Sequence, residues 1–316
     1  MSNEKTNHTT DETDDILNDT LIDEYDDTDD VFDVSDDEPE ETDADAVFDA
    51  KEKKRKVNNI IRKIVLVVAL AVFVFAADNL ISIMLEYKKG NDIYTNIEHE
   101  VVDDSTPTTI TIGGGDGALS HEVQIPFKYD HNALLSINEE GIGYLYIPAL
   151  DLRLPMVQST DNDFYLTHTF DKTYNSNGCL FEDYRIKDGL KASNVIIYGH
   201  NMNNGSMFGR LSYFKTYSYW NSGNNNVFYI YTGNTIKEYK IFSVYNCEPI
   251  CDTYTFNFGN LSQMREYAQQ MKDKSIYDTG VDVSNATQVV TLSTCSSNGS
   301  MRLIVHGVYT GEATLN

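Results

Sequence analysis

Cysteine is scarce in this chain. Its 316 residues contain four, Cys179, Cys247, Cys251 and Cys295. No CxxC pairs with a second CxxC, which argues against a structural zinc site. Cys247 and Cys251, in CEPIC, allow either a short-loop disulfide or two free, partly buried thiols. Histidines are few as well: apart from His200, the set His8, His99, His121, His131, His168 and His306 is scattered without ligand spacing. Positive charge is short, with 24 Lys and Arg against 49 Asp and Glu, a net of −25. That deficit is local. Residues 1–50 hold 21 Asp and Glu against one Lys, a net of −20, which leaves −5 for the other 266 residues. No internal repeat is present.

The acidity therefore belongs to a tail. Residues 1–50 have too little apolar content to bury and their like charges repel, so they are expected to be disordered. The Leu, Ile, Tyr and Phe among those acids could still make a weak partner contact.

Only one long apolar run exists. After KEKKRKVNNIIRK, with seven basic residues in thirteen, comes IVLVVALAVFVFAA, Ile64 to Ala77, without a polar side chain. As a helix, fourteen residues rise about 21 Å, short of a bilayer core of about 30 Å. Ile60-Ile61 and Leu80 to Leu85 extend the run, and the flanking charges can snorkel. A signal peptide would begin near residue 1, and a core helix would show a polar face. Residues 51–85 are therefore expected to be a basic flank and an uncleaved, single-pass membrane anchor. The basic side places the tail in the cytoplasm and everything after about Leu85 outside. Residues 86–130 read as an extracytoplasmic spacer and N-terminal helical region, with a Thr/Gly-rich segment.

From Leu134 the texture changes to short runs rich in Tyr, Val and Ile: GYLYIP, LPMVQS, GCLFED, NVIIYGH, VFYIYT, IKEYKIFSVYN, QVVTLST and RLIVHGVY. Eight such runs predict a closed or nearly closed β-barrel over residues 131–316, mainly β with a few helices. Helical signals interrupt it at 161–168, 205–214 and 261–274.

Three strand ends carry chemistry. NVIIYG ends just before His200, QVVTLST runs into Cys295, and Arg302 opens RLIVHGV. If the first two strands are parallel neighbours, a thiol, an imidazole and a guanidinium meet at one rim. A thiolate is a nucleophile whose pKa nearby cations lower, an imidazolium can protonate a leaving amine, and a guanidinium can serve an oxyanion. The alternative is a buried cysteine and a surface arginine. His306 reads as a strand-face residue rather than a second base.

The pattern TLSTC, six residues, then Arg, with YGH upstream, resembles the signature of the sortases, cysteine transpeptidases of Gram-positive bacteria. NEEGIGYLYIPALDLRLPMVQSTDNDFYLTH, GCLFEDYR and NVIIYGHNMNNGSMFGRLSYF are similar to class B members, so the resemblance covers Leu134 to Tyr309. It implies an eight-stranded sortase-type β-barrel behind a membrane anchor. By resemblance Cys295 is the nucleophile, His200 the general acid/base and Arg302 the oxyanion or substrate-positioning group. Thr294 and Ser293 become candidates for the substrate groove, while Tyr184 and Arg185 support the fold. The segment SSNGSM between Cys295 and Arg302 has no Asp or Glu, so a triad acid there is excluded.

The resemblance implies cleavage of a C-terminal sorting motif of surface proteins through a Cys295 thioester. The acyl group would pass to an amine of a peptidoglycan precursor or a pilin. A tethered cysteine protease using water, or an idle anchored binding module, are the other readings. No cofactor, metal or nucleic acid is expected.

Overall fold

The computed structural model describes residues 42–105, 107–114, 120–295 and 300–315. Most of the acidic tail lies outside the described residues. Two units divide the chain, Met1–Ala69 and Leu70–Asn316. The described residues of the first are helical and belong to α1 (Thr42–Val101). No proline or glycine occurs in α1 before Gly90, so nothing in its first 48 residues breaks the helical ladder. Among the described residues, one helix is long and apolar enough to cross a membrane, within Ala46–Val101. Its large side chains from Ile64 to Phe75 are exposed.

In the second unit the end of α1 packs down, with Tyr94, Ile97 and Val101 buried. Gly90 makes this possible, because a Cβ there would lie 2.4 Å from Asn177 Nδ2 and 2.6 Å from Asn175 Oδ1. Beside it Ser176 N–H donates to Glu86 Oε1 and Asn175 Nδ2 to the Glu86 carbonyl, both at 3.0 Å. There follow β1 (Val102–Asp103), β2 (Thr108–Gly114), β3 (His121–Ile125), β4 (Lys128–Tyr129) and α2 (His131–Ile137). Where a spacer and helical region is expected, the chain thus forms the end of α1 and a β2–β3 hairpin, and β2 pairs with the last strand.

The eight apolar runs form β5 (Gly141–Ile147), β6 (Leu152–Gln158), β7 (Leu180–Glu182), β8 (Asn194–Tyr198), β9 (Val227–Thr232), β10 (Thr235–Cys247), β11 (Val289–Cys295) and β12 (Arg302–Thr314). Two helices interrupt them, α3 (Tyr217–Trp220) and α4 (Leu261–Asp273). The strand order β10-β9-β5-β6-β7-β8-β11-β12 closes through a β10–β12 pairing. The result is the eight-stranded closed barrel that the alternation predicts, mainly β with few helices. Closure removes the open edges that a sheet of this size would expose. The pairings are antiparallel except β6–β7 and β8–β11. Large rings fill the core, among them Phe127, Tyr144, Phe228, Tyr231 and Phe242. Helix α4 seals one flank with Met264, Tyr267, Ala268 and Met271, a 3/4-spaced apolar stripe. The signals at 161–168 and 205–214 become 3-10 turns, Phe164–Leu166 and Gly209–Lys215.

Among the buried polar groups without a partner, one is a carboxyl. Glu182, at the end of β7, is fully buried and neither carboxyl oxygen has a hydrogen-bond partner among the described residues. Burial, and then the charge of Asp183, push its carboxyl up to about 8. The folded protein keeps Glu182 protonated where the unfolded chain ionises it. Its cost to stability therefore grows as pH rises from about 4.5 to 8. Glu182→Gln should melt higher than the parent at pH 8, by an amount on the order of a few kcal/mol. The gain should vanish near pH 4.5; an equal gain at both pH values would show that the carboxyl does not titrate with folding.

Candidate active site

The rim is built by register. β8 and β11 run parallel with Val289 opposite Asn194 and Ser293 opposite Tyr198. Asn194–Ile197 of β8 and Val289–Thr294 of β11 are buried on both faces, as strands of a parallel pair commonly are. Asn194 locks the start of the pair: it accepts from Thr291 Oγ1 at 2.8 Å and donates to the Thr255 carbonyl at 2.8 Å and to Tyr267 Oη at 3.0 Å. At the other end the Gly199 N–H donates to the Ser293 carbonyl at 3.1 Å. Only glycine fits there, since a Cβ would lie 2.5 Å from Leu180 Cδ2 and 2.7 Å from Phe208 Cδ2. Carried one residue further, the same line sets His200 level with Cys295. On the other side of β11, Cys295 pairs with Arg302 across the antiparallel ladder. The backbone thus brings the three predicted residues to neighbouring positions on one rim, as the strand-end reading requires.

The His200 ring is fixed by a partner that sequence reasoning missed. Its Nε2 is 2.6 Å from the Leu166 carbonyl, an acceptor only, so Nε2 carries the proton and Nδ1 is the other ring nitrogen. A backbone acceptor leaves no signature in side-chain identity. The Phe208 N–H donates to the His200 carbonyl at 2.9 Å and pins its main chain.

A cleft of about 240 Å³ runs over this rim, lined by His200, Arg302, Ser293 and Thr294 with Asn162, Leu166, Phe181, Tyr198, Pro249 and Tyr254. A larger depression of about 590 Å³, between α1 and the turns around Arg153 and Met207, includes none of the rim residues. Ser293 is buried, with its hydroxyl 3.0 Å from Tyr254 Oη. Thr294 is 3% exposed and its Oγ1 has no hydrogen-bond partner among the described residues. Arg185 holds Asp183 through Nε at 2.9 Å and Nη2 at 2.6 Å, and Tyr198 Oη donates to the same carboxylate at 2.9 Å. Burial raises the Asp183 carboxyl, but these donors outweigh it and hold it below the ordinary carboxylate value. Arg185 is therefore a support of the fold, and Tyr184 is a partly exposed neighbour.

His306 is fully buried, with Nδ1 3.0 Å from Thr291 Oγ1 and Nε2 2.9 Å from Tyr245 Oη. Burial, with a small push from Lys274, lowers it to about 3, so it stays neutral and structural. Cys179, Cys247 and Cys251 are free thiols.

Among the described residues no cluster of His, Cys, Asp or Glu could hold a metal ion. Cysteine, histidine and arginine at neighbouring backbone positions on one rim of a closed barrel fit cysteine acyl-transfer chemistry. The sortase domain model matches residues 145–310, and the chain belongs to the sortase family, whose members are cysteine transpeptidases. Within it the chain is a class B sortase. It is 29% identical to Sortase B of Listeria monocytogenes over 257 residues, 80% of this chain and 98% of that one. Sortase B of Staphylococcus aureus is 25% identical over 178 residues, 55% of this chain and 71% of that one. The crystal structure of Clostridium perfringens sortase B is similar with a TM-score of 0.53 at 29% identity, covering 57% of this chain and 99% of that one.

The orphaned Thr294 hydroxyl makes a direct prediction. Thr294→Val keeps the shape and removes a buried group without a partner, so it should raise stability by about 1 kcal/mol. For a domain of this size that is roughly 2–4 °C in melting temperature. A lower melting temperature would show that the hydroxyl is satisfied in the free enzyme.

Proposed function

We propose that this class B sortase is anchored by residues 51–85, with residues 1–50 in the cytoplasm and residues 86–316 outside. Its barrel, 131–316, joins a sorting-motif peptide of a surface protein to an amine of a peptidoglycan precursor or a pilin. The observation that carries this reading is the rim register that aligns His200, Cys295 and Arg302 in a cysteine transpeptidase family.

The chemistry follows from those groups. The Cys295 thiol gives its proton to His200, and the thiolate attacks the scissile carbonyl carbon. Arg302 donates hydrogen bonds to the oxygen as it becomes negative, and the imidazolium protonates the departing amine, leaving a thioester. The acceptor amine then attacks the thioester, His200 takes its proton, and the thiol is regenerated. With Nε2 bound to Leu166, the nitrogen left for the proton transfers is Nδ1. Thr294 and Ser293 line the groove beside the peptide.

The three residues should fail differently. Cys295→Ala should trap no thioester with a sorting peptide. His200→Ala should leave Cys295 alkylatable and cost about 10²–10⁴-fold in turnover. Arg302→Lys keeps charge but loses the planar fork, and a missing oxyanion donor costs about 10²–10³-fold. Near-full activity in Arg302→Lys would remove the oxyanion role, and turnover by Cys295→Ala would sink the whole assignment. Product that forms equally without an amine acceptor would point to hydrolysis instead.

Orientation has its own check. Protease added to intact, wall-stripped cells should digest the domain that holds Cys295 and spare the acidic tail. Protection of that domain would reverse the proposed topology.

A further inference from the structure

The rim row does not stop at Arg302. Cys247, the last residue of β10, pairs with Arg302 on the opposite side of β12 from Cys295. Across four neighbouring strands the rim therefore reads His200, Cys295, Arg302, Cys247. From Cys247 the chain leaves as Glu248, Pro249 and Ile250 and returns at Cys251, the residue before the turn Asp252–Tyr254. Pro249 and Tyr254 are walls of the cleft, and Tyr254 holds Ser293. Between them Ile250 is 91% exposed. The thiols of Cys247 and Cys251 are both free and close enough to act on each other electrostatically. Cys247 is buried and Cys251 is partly exposed. This is a dithiol built into the root of a cleft wall, one residue of it opposite Arg302.

We propose that Cys247 and Cys251 are a modification site that closes to a disulfide by exchange with an external disulfide, and that closure retunes the cleft through Arg302 and the Pro249–Tyr254 wall. This rests on the proposed placement of the barrel outside the membrane, where disulfides persist. The exchange runs in two steps. Cys251, the accessible thiol, loses its proton, and its sulfur attacks one sulfur of R–S–S–R′ and expels R′S⁻. Cys247 then loses its proton and displaces RS⁻ from the mixed disulfide, forming the Cys247–Cys251 bond. Two thiols are oxidised by two electrons, one external disulfide is reduced to two thiols, and the leaving thiolates take the two protons. The order follows from the surroundings: burial, and then the contact with Cys251, push the Cys247 thiol up to about 12, so it resolves rather than initiates. The consequence at the site follows from the ladder. Any turn of the Cys247 side chain toward Cys251 is made beside Arg302, and shortening the loop draws Pro249 and Tyr254 with it.

The test uses the full-length chain in detergent. In a Cys295→Ala background, buffers of stepped oxidised to reduced glutathione are applied, followed by alkylation and peptide mapping. A Cys247–Cys251 linked peptide, two hydrogens lighter than the dithiol, is expected. Thiols that both remain alkylatable in fully oxidised glutathione, or a reaction that stops at glutathione on Cys251, would overturn the proposal. This arm needs no transpeptidation, so it stands or falls apart from the proposed function. With Cys295 present, oxidation should lower kcat/KM of the parent by about tenfold, as small displacements at a reacting centre do, and dithiothreitol should restore it. Cys251→Ser should keep reduced-state activity and lose most of that response. An equal loss in Cys251→Ser would assign the effect to Cys295 oxidation and remove the regulatory half of the proposal.

Discussion

The parallel ladder between β8 and β11 is the contact on which the site depends. Two strands far apart in sequence must stop at the same level for an imidazole and a thiol to be neighbours, and their pairing sets that level. A slip of one residue would send every side chain of the strand to the opposite face. The buried Asn194 guards against it. Its amide and carbonyl engage Thr291, Thr255 and Tyr267 at once, a set that no shifted register reproduces. Gln288 does the same just ahead of β11, donating to the Leu190 and Ala192 carbonyls and accepting from Tyr239.

The same contacts tie the ladder to the cleft wall. Tyr267 comes from α4 and donates to the Thr253 carbonyl, and Thr253 is hydrogen-bonded to Tyr245 of β10. The turn that carries Tyr254 is thus fastened to β8, β10 and α4 together. A wall anchored from three sides ties the cleft to the strands that carry the rim, so a change at its root is passed to the site. Loss of any of these polar partners would leave a buried group unsatisfied, and such a loss costs more than the bond itself contributes.

Most of the barrel was legible because its strands announce themselves: each of the eight runs rich in Val, Ile and Tyr became one strand of the ring. The rim was legible for a related reason. His200, Cys295 and Arg302 stand at strand ends, where periodicity stops, and strand ends in a closed barrel must gather at one of two rims. What stayed hidden was carried by the backbone or by shape. The Leu166 carbonyl that orients His200 belongs to a residue type with no hydrogen-bonding side chain. The hairpin of β2 and β3 lies in a Thr/Gly-rich stretch that reads equally well as a linker. Gly90 and Gly199 matter for what they leave out, and single glycines are common in loops for other reasons. Glu182 gives no hint of its burial, since an acid at the end of GCLFED looks like a solvated residue.

The charge pattern around the rim bears on how the proposed thiol nucleophile is activated. The chain is strongly acidic, yet no carboxylate stands between Cys295 and Arg302 in sequence. Asp183, an acid close to the cleft wall, is already committed to Arg185 and Tyr198. His306, on the next strand, is sealed in the core and neutral. His200 bonds the Leu166 carbonyl, which orients the ring. In the proposed mechanism, activation of the thiol rests on His200 and Arg302 themselves, the two groups at that strand end. A thiolate stabilised by neighbouring positive charge needs no third acid.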